Sequence, residues 1–80
     1  MHKSITSKNY AQFLEHLRKA REQAGLTQED MAARLGETQS FVSKCERGER
    51  RMDIVELREF CTAMGMTLER FVKQFEKGLR

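Results

Sequence analysis

Apolar residues recur along the chain at three- and four-residue intervals, the spacing that lines one face of an α-helix. Tyr10, Phe13, Leu14, Leu17, Ala20 and Ala24 form one such set, and Met31, Ala32 and Leu35 a second. Val42 and Cys45 follow, then Leu57, Phe60, Cys61 and Met64, and last Leu68, Phe71, Val72 and Phe75. No stretch alternates apolar and polar residues as a half-buried strand would. The pattern predicts five helices, near residues 10–24, 28–35, 39–47, 53–64 and 68–77. Proline is absent, and Gly25, Gly36, Gly48, Gly65 and Gly78 fall where these segments stop, so they read as helix ends.

The predicted starts carry capping chemistry. Thr27, Thr38, Asp53 and Thr67 can each accept a hydrogen bond from an N–H left open in the turn that follows. Glu29 and Asp30 follow Thr27, Glu69 follows Thr67, and Glu56 stands three residues after Asp53 in capping-box spacing; these acids also suit the positive end of a helix. Residues 1–9, which include Lys3 and Lys8, lack the pattern and read as a flexible tail that could touch a phosphate backbone. Residues 10–80 then form one small all-α domain, a compact five-helix bundle with a modest core.

Cys45 and Cys61 fall at inward positions of their helices, where a free thiol behaves as a small hydrophobe. No CxxC pair occurs, and His2 and His16 lie far upstream of both thiols, so neither a metal nor a cofactor is expected. No apolar run reaches the length of a membrane span and the first residues lack a signal-peptide core, so a cytoplasmic protein without a membrane partner is expected. Carboxylate pairs, nucleophile and base pairs and phosphate-binding glycine loops are missing from any plausible site context, which disfavours an enzyme.

The formal net charge of +3 says little alone, but its distribution says more. In KCERGERR, residues 44–51, the cations Lys44, Arg47, Arg50 and Arg51 outnumber Glu46 and Glu49. Such runs are most often solvated turns. This one directly follows a helix whose outward positions, Gln39, Ser40, Ser43 and Lys44, are all polar. Two short helices joined through Gly36 must cross steeply, and Ala32 supplies the small residue the crossing needs. Met31, Leu35, Val42 and Cys45 point inward there, while Gly36 takes the left-handed turn at low cost.

At this point GLTQEDMAARLGETQSFVSKCERG resembles the helix-turn-helix of the phage repressor and Cro family, the XRE-type regulators. The resemblance runs from Leu17 to Arg21, through the two motif helices (28–47) and ERG, and on through MDIVELREFCTAMGMTLERFV, about three quarters of the chain. It implies a lambda-repressor-like DNA-binding fold and a double-stranded DNA partner. The second motif helix would enter the major groove, the docking geometry of that family. Gln39 would then read adenine, Ser40 and Ser43 a base edge, and Lys44 guanine, each good bidentate pair contributing roughly 1–3 kcal/mol of discrimination.

The resemblance also implies that Gln28 buttresses Gln39 while touching a phosphate, and that Arg21 and Glu46 form a structural ion pair between the first and third helices. Thr27, Gln28, Arg47, Arg50 and Arg51 are the expected phosphate contacts, the first two through the N–H groups of the helix they open. Phe41 is open to two roles, a thymine methyl or a neighbouring turn, packing being the commoner. Glu37 departs from the family, many members having an apolar residue after the glycine. A second domain for effector sensing is also missing, so no small-molecule effector is expected.

Leu68, Phe71, Val72 and Phe75 make a stripe generous for so small a core. Two uses remain open, closure of the monomer or a two-fold homodimer through helices 53–77 that sets two recognition helices about 34 Å apart on a palindrome. The expected function is a dimeric, sequence-specific transcriptional regulator, a repressor in the first instance. The alternatives are a protein-interaction module, such as the antitoxin half of a toxin–antitoxin pair, and a restriction-modification controller protein.

Overall fold

The structure, a computed structural model, describes residues 7–78; of the expected tail, residues 1–6 with Lys3 lie outside this range. Five helices and no strand occur among the described residues. They are α1 (Lys8–Gln23), α2 (Gln28–Leu35), α3 (Gln39–Glu46), α4 (Ile54–Ala63) and α5 (Leu68–Gly78). No helix among them is long and apolar enough to cross a membrane.

Side-chain caps explain where the helices begin. Ser7, missed in the sequence, accepts from the Tyr10 N–H at 3.1 Å, so α1 starts at Lys8 and absorbs the last residues of the expected tail. Thr27 and Asp30 close a reciprocal box at 3.0 Å each, and Asp53 and Glu56 close another at 2.8 and 3.2 Å. Thr38 accepts from Phe41 and Thr67 from Arg70, each at 3.1 Å. The Asp30 carboxyl is held below its usual range chiefly by the Thr27 backbone N–H it accepts from.

One kind of turn joins all five helices. Gly36 sits at φ +70°, and the Glu37 N–H behind it reaches the Ala32 carbonyl at 2.9 Å, the six-residue bond of a Schellman ending. The same bond runs from Leu26 to Arg21, from Glu49 to Lys44 and from Met66 to Cys61. With connections this short, α2 packs on α3 and α4, α1 on α3 and α5, and α4 on α5.

The core draws on every helix. Leu17, Met31, Val42, Cys45, Phe60, Cys61 and Phe71 are fully buried, and Ala32 lies buried beside them. Leu26, from the turn between α1 and α2, joins them although it stands outside any helical stripe. Ala24, expected inward, is exposed because α1 has already ended at its cap. Phe71 closes the monomer core, and its ring meets Phe13 edge-on at 6.1 Å. Phe75 is half-buried against Phe13 and His16, whereas Val72 is 39% exposed. His16 Nε2 lies 3.2 Å from the Phe71 carbonyl and adds a polar tie between α1 and α5.

A second polar tie spans the bundle. Arg21 on α1 donates to Glu46 on α3 from Nε at 2.6 Å and from Nη2 at 3.1 Å, while Nη1 donates to the Leu26 carbonyl at 2.8 Å. The side chains are only 9% and 4% exposed. A fork this well matched compensates desolvation that a lone charge could not.

Three outcomes are expected from this packing. Gly36→Ala should lose about 1 kcal/mol, because a Cβ meets nothing within 4 Å and only the left-handed backbone is penalised; urea unfolding measures it, and Gly36→Asn should lose less. Arg21→Ala should cost about 3–5 kcal/mol, and the double change Arg21→Met with Glu46→Leu much less, because no charge is then stranded. Burial pushes the Cys61 thiol up to about 11 and raises Cys45, so the fold's preference for protonated thiols is complete below the ordinary thiol range and is lost as pH rises from there through about 11. Alkylation of the native protein should therefore stay slow at pH values where the urea-unfolded chain reacts readily.

Candidate nucleic-acid interface

Helix α3 turns one side to the core through Val42 and Cys45 and presents the other to solvent. Gln39, Ser40 and Lys44 are exposed on that outer side and Ser43 is half-buried. Thr38 has already used its side chain as the cap, leaving Gln39 and Ser40 at the positive end of the helix. Phe41 packs inward, its ring 6.3 Å from Phe60 and covered by the Arg50 guanidinium at 4.9 Å.

The buried ion pair reaches this surface through two amides. The Gln28 amide nitrogen donates to Glu46 Oε1 at 3.0 Å, and its oxygen accepts from the Gln39 amide nitrogen at 2.7 Å. The direction of the chain follows from its first member. The Glu46 carboxylate only accepts, so Gln28 must turn its NH2 inward and its oxygen outward, and Gln39 must turn an N–H towards Gln28. The Gln39 carbonyl oxygen and its second N–H are left facing out. Sequence reasoning paired Arg21 with Glu46 and Gln28 with Gln39 separately, and the structure joins all four in one relay.

The cations expected to meet phosphate ring this helix but already hold partners. Arg47, the residue that ends α3, makes a two-pronged bond to Glu49 at 2.9 and 3.1 Å and donates to Ser43 through Nη1. Arg50 makes a second fork to Glu56 at 3.0 and 2.8 Å. Arg51 lies over the Tyr10 ring at 4.9 Å, fixing the loop after α3 against α1. Hydrogen bonds from Arg47 and Arg50 hold the Glu49 and Glu56 carboxyls below their usual range, and each guanidinium is raised in return. These forks are largely exposed, where ion pairs are weak and exchange partners readily. Sequence reasoning gave neither acid a role at this surface, though Glu49 stands two residues from Arg47.

The opening of α2 is less free than the sequence implied. Asp30 occupies the Thr27 backbone N–H and Glu29 adds a second negative charge, which leaves the Thr27 hydroxyl proton and the first N–H groups of α2 for an anion. Arg34 points elsewhere, donating to the Ala63 carbonyl at 2.8 Å and so capping the end of α4. Among the described residues no three His, Cys, Asp or Glu side chains converge as metal ligands would.

Comparison with known proteins places this arrangement. The helix-turn-helix domain family matches residues 12–71. An uncharacterised HTH-type transcriptional regulator, y4dJ of Sinorhizobium fredii, is 40% identical over 47 residues, which cover 59% of this chain and 61% of that relative's length. An XRE-family-like protein from Pseudomonas syringae pv. tomato superposes with a TM-score of 0.84 at 40% identity, covering 99% of this chain and 96% of the other. A variant of the restriction-modification controller protein C.Esp1396I superposes with a TM-score of 0.82 at 25% identity, covering 91% of this chain and 92% of its own. Matched by the helix-turn-helix family over most of its length and by an XRE-family-like protein over nearly all of it, with the relay from Arg21 to Gln39 tying α1, α2 and α3 together, this chain belongs to the XRE-type helix-turn-helix family.

Proposed function

We propose that the protein is a sequence-specific, double-stranded-DNA-binding transcriptional regulator of the cytoplasm, a homodimeric repressor that inserts α3 into the major groove of a palindromic operator. The observation that carries this reading is the Gln39 side chain, oriented by a relay that ends in a buried ion pair. A solvated surface glutamine needs no such support. With one N–H committed to Gln28, Gln39 retains a carbonyl oxygen and an N–H, the acceptor and donor that adenine N6 and N7 require. Ser40 and Lys44 extend the reading face along α3, and Ser43 joins it when Arg47 turns towards a phosphate.

Arg47, Arg50 and Arg51 supply sequence-independent contacts on one flank, and Thr27 with Gln28 supplies them on the other. Exchange of a carboxylate for a phosphate at Arg47 and Arg50 gives these contacts a low barrier. The bound protein would occlude a promoter. The likeness to a restriction-modification controller protein supports a regulatory setting of this kind.

Selection from random duplexes, followed by mobility shifts at two salt concentrations, tests the proposal. A palindrome with half-sites one helical turn apart is expected, with affinity falling steeply as salt rises. Gln39→Ala with Lys44→Ala should abolish specific binding, each lost bidentate contact costing roughly 1–3 kcal/mol, while circular dichroism stays native. Operator affinity that survives the double change would assign reading to another face. Enrichment of no sequence, together with binding that salt barely affects, would favour a protein-interaction module.

A further inference from the structure

The Glu46 side chain is nearly closed to solvent, yet it is the one member of the relay that cannot be inverted. Arg21 Nε and Nη2 reach its two oxygens at 2.6 and 3.1 Å, and the Gln28 amide nitrogen reaches Oε1 at 3.0 Å. Arg21 is itself pinned, with Nη1 on the Leu26 carbonyl at 2.8 Å. Three donors therefore converge on a group that can only accept.

An amide, unlike a carboxylate, has two unlike ends of nearly the same size. Turned over, Gln39 would keep its place on α3 and its reach, and would change only whether a donor or an acceptor stands outermost. Packing against the helix cannot choose between two settings of the same shape. Glu46 makes the choice: Gln28 turns its NH2 inward, its oxygen takes the Gln39 N–H at 2.7 Å, and the Gln39 oxygen is left outermost. An outermost acceptor takes a hydrogen from adenine N6, whereas guanine presents an oxygen at that place and repels it.

We infer that Glu46 is the positioning residue that decides which purine Gln39 reads, although it never touches DNA. The inference rests on the regulator reading for its DNA. Glu46→Gln puts one donor where an acceptor stood. The new amide oxygen stays with the closer Arg21 donor, Nε, so the new NH2 falls on the Oε1 side and faces Gln28. Gln28 then turns its oxygen inward, and Gln39 turns its own oxygen towards Gln28. An N–H becomes the outermost group of Gln39, a donor that guanine O6 accepts and adenine N6 cannot. Arg21→Met with Glu46→Leu has a different effect: Gln28 loses its anchor, and Gln39 takes both settings.

Selection from random duplexes with the parent protein, Gln39→Ala, Glu46→Gln and the double variant tests this. Gln39→Ala identifies the base pair that Gln39 reads, as the position where preference disappears. There the parent should favour adenine over guanine by about tenfold, Glu46→Gln should reverse the preference, and the double variant should accept both purines within about twofold. Preference at the other positions should stay near the parent's, as should the affinity of the double variant for a duplex of shuffled sequence. If Glu46→Gln fails to fold, the double variant, which strands no charge, carries the test. A folded variant that keeps the adenine preference would overturn the proposal. So would one that weakens all sequences alike, the mark of a structural role only. Hydrogen exchange in the free protein separates this from failure of the regulator reading. The Gln28 NH2 should exchange slowly in the parent and quickly in the double variant, even where no duplex sequence is selected, and fast exchange in the parent would also overturn the proposal.

Discussion

The Arg21–Glu46 pair is the constraint on which the site depends. It lies where α1, α2 and α3 converge, and its two side chains are nearly closed to solvent. A hydrophobic contact there could hold the helices together, but it could not orient an amide. The carboxylate does both, since its second oxygen accepts from Gln28 and so sets the polarity of the relay out to Gln39. Stability and the presentation of a polar group at the surface thus share one pair of residues, and a change at the pair acts on both.

Around that pair the helices are delimited by local chemistry, which is why most of the fold was readable from the sequence. The spacing of Leu17, Met31, Val42 and Phe60 defines the buried stripes, and Thr27, Thr38, Asp53 and Thr67 mark the starts within a residue or so. What escaped was either nonlocal or not periodic. Leu26 is buried from a turn, where no stripe could announce it. Ser7 caps a helix whose first residues, Lys8 and Asn9, precede the apolar stripe that begins at Tyr10. Ile54 and Val55 begin α4 as strong hydrophobes yet face outward, because the capping box at Asp53 and the burial of Phe60 and Cys61 fix the rotation of that helix.

The candidate site divides in the same way. Gln39, Ser40 and Lys44 could be placed outside because they lie opposite Val42 and Cys45 on an eight-residue helix. The partners of Arg47 and Arg50 could not, since a run such as KCERGERR allows many pairings and only the folded turn selects two. Glu56 illustrates the reason. It caps its own helix and grips Arg50 with the same carboxylate, a double use that helix periodicity cannot show.

Those two forks also give the surface a counterion atmosphere of its own. A cation on most proteins meets a phosphate by giving up water and loosely held salt, whereas Arg47 and Arg50 start out neutralised by Glu49 and Glu56. On the phosphate contacts proposed for these arginines, each one made would set a carboxylate free to gather a cation from solution. Part of the ion release that drives association with a polyanion is thereby returned. The protein's grip on any nucleic acid should thus depend less steeply on ionic strength than its count of basic residues implies. The shape and chemistry of the α3 face would carry a correspondingly larger share of the discrimination.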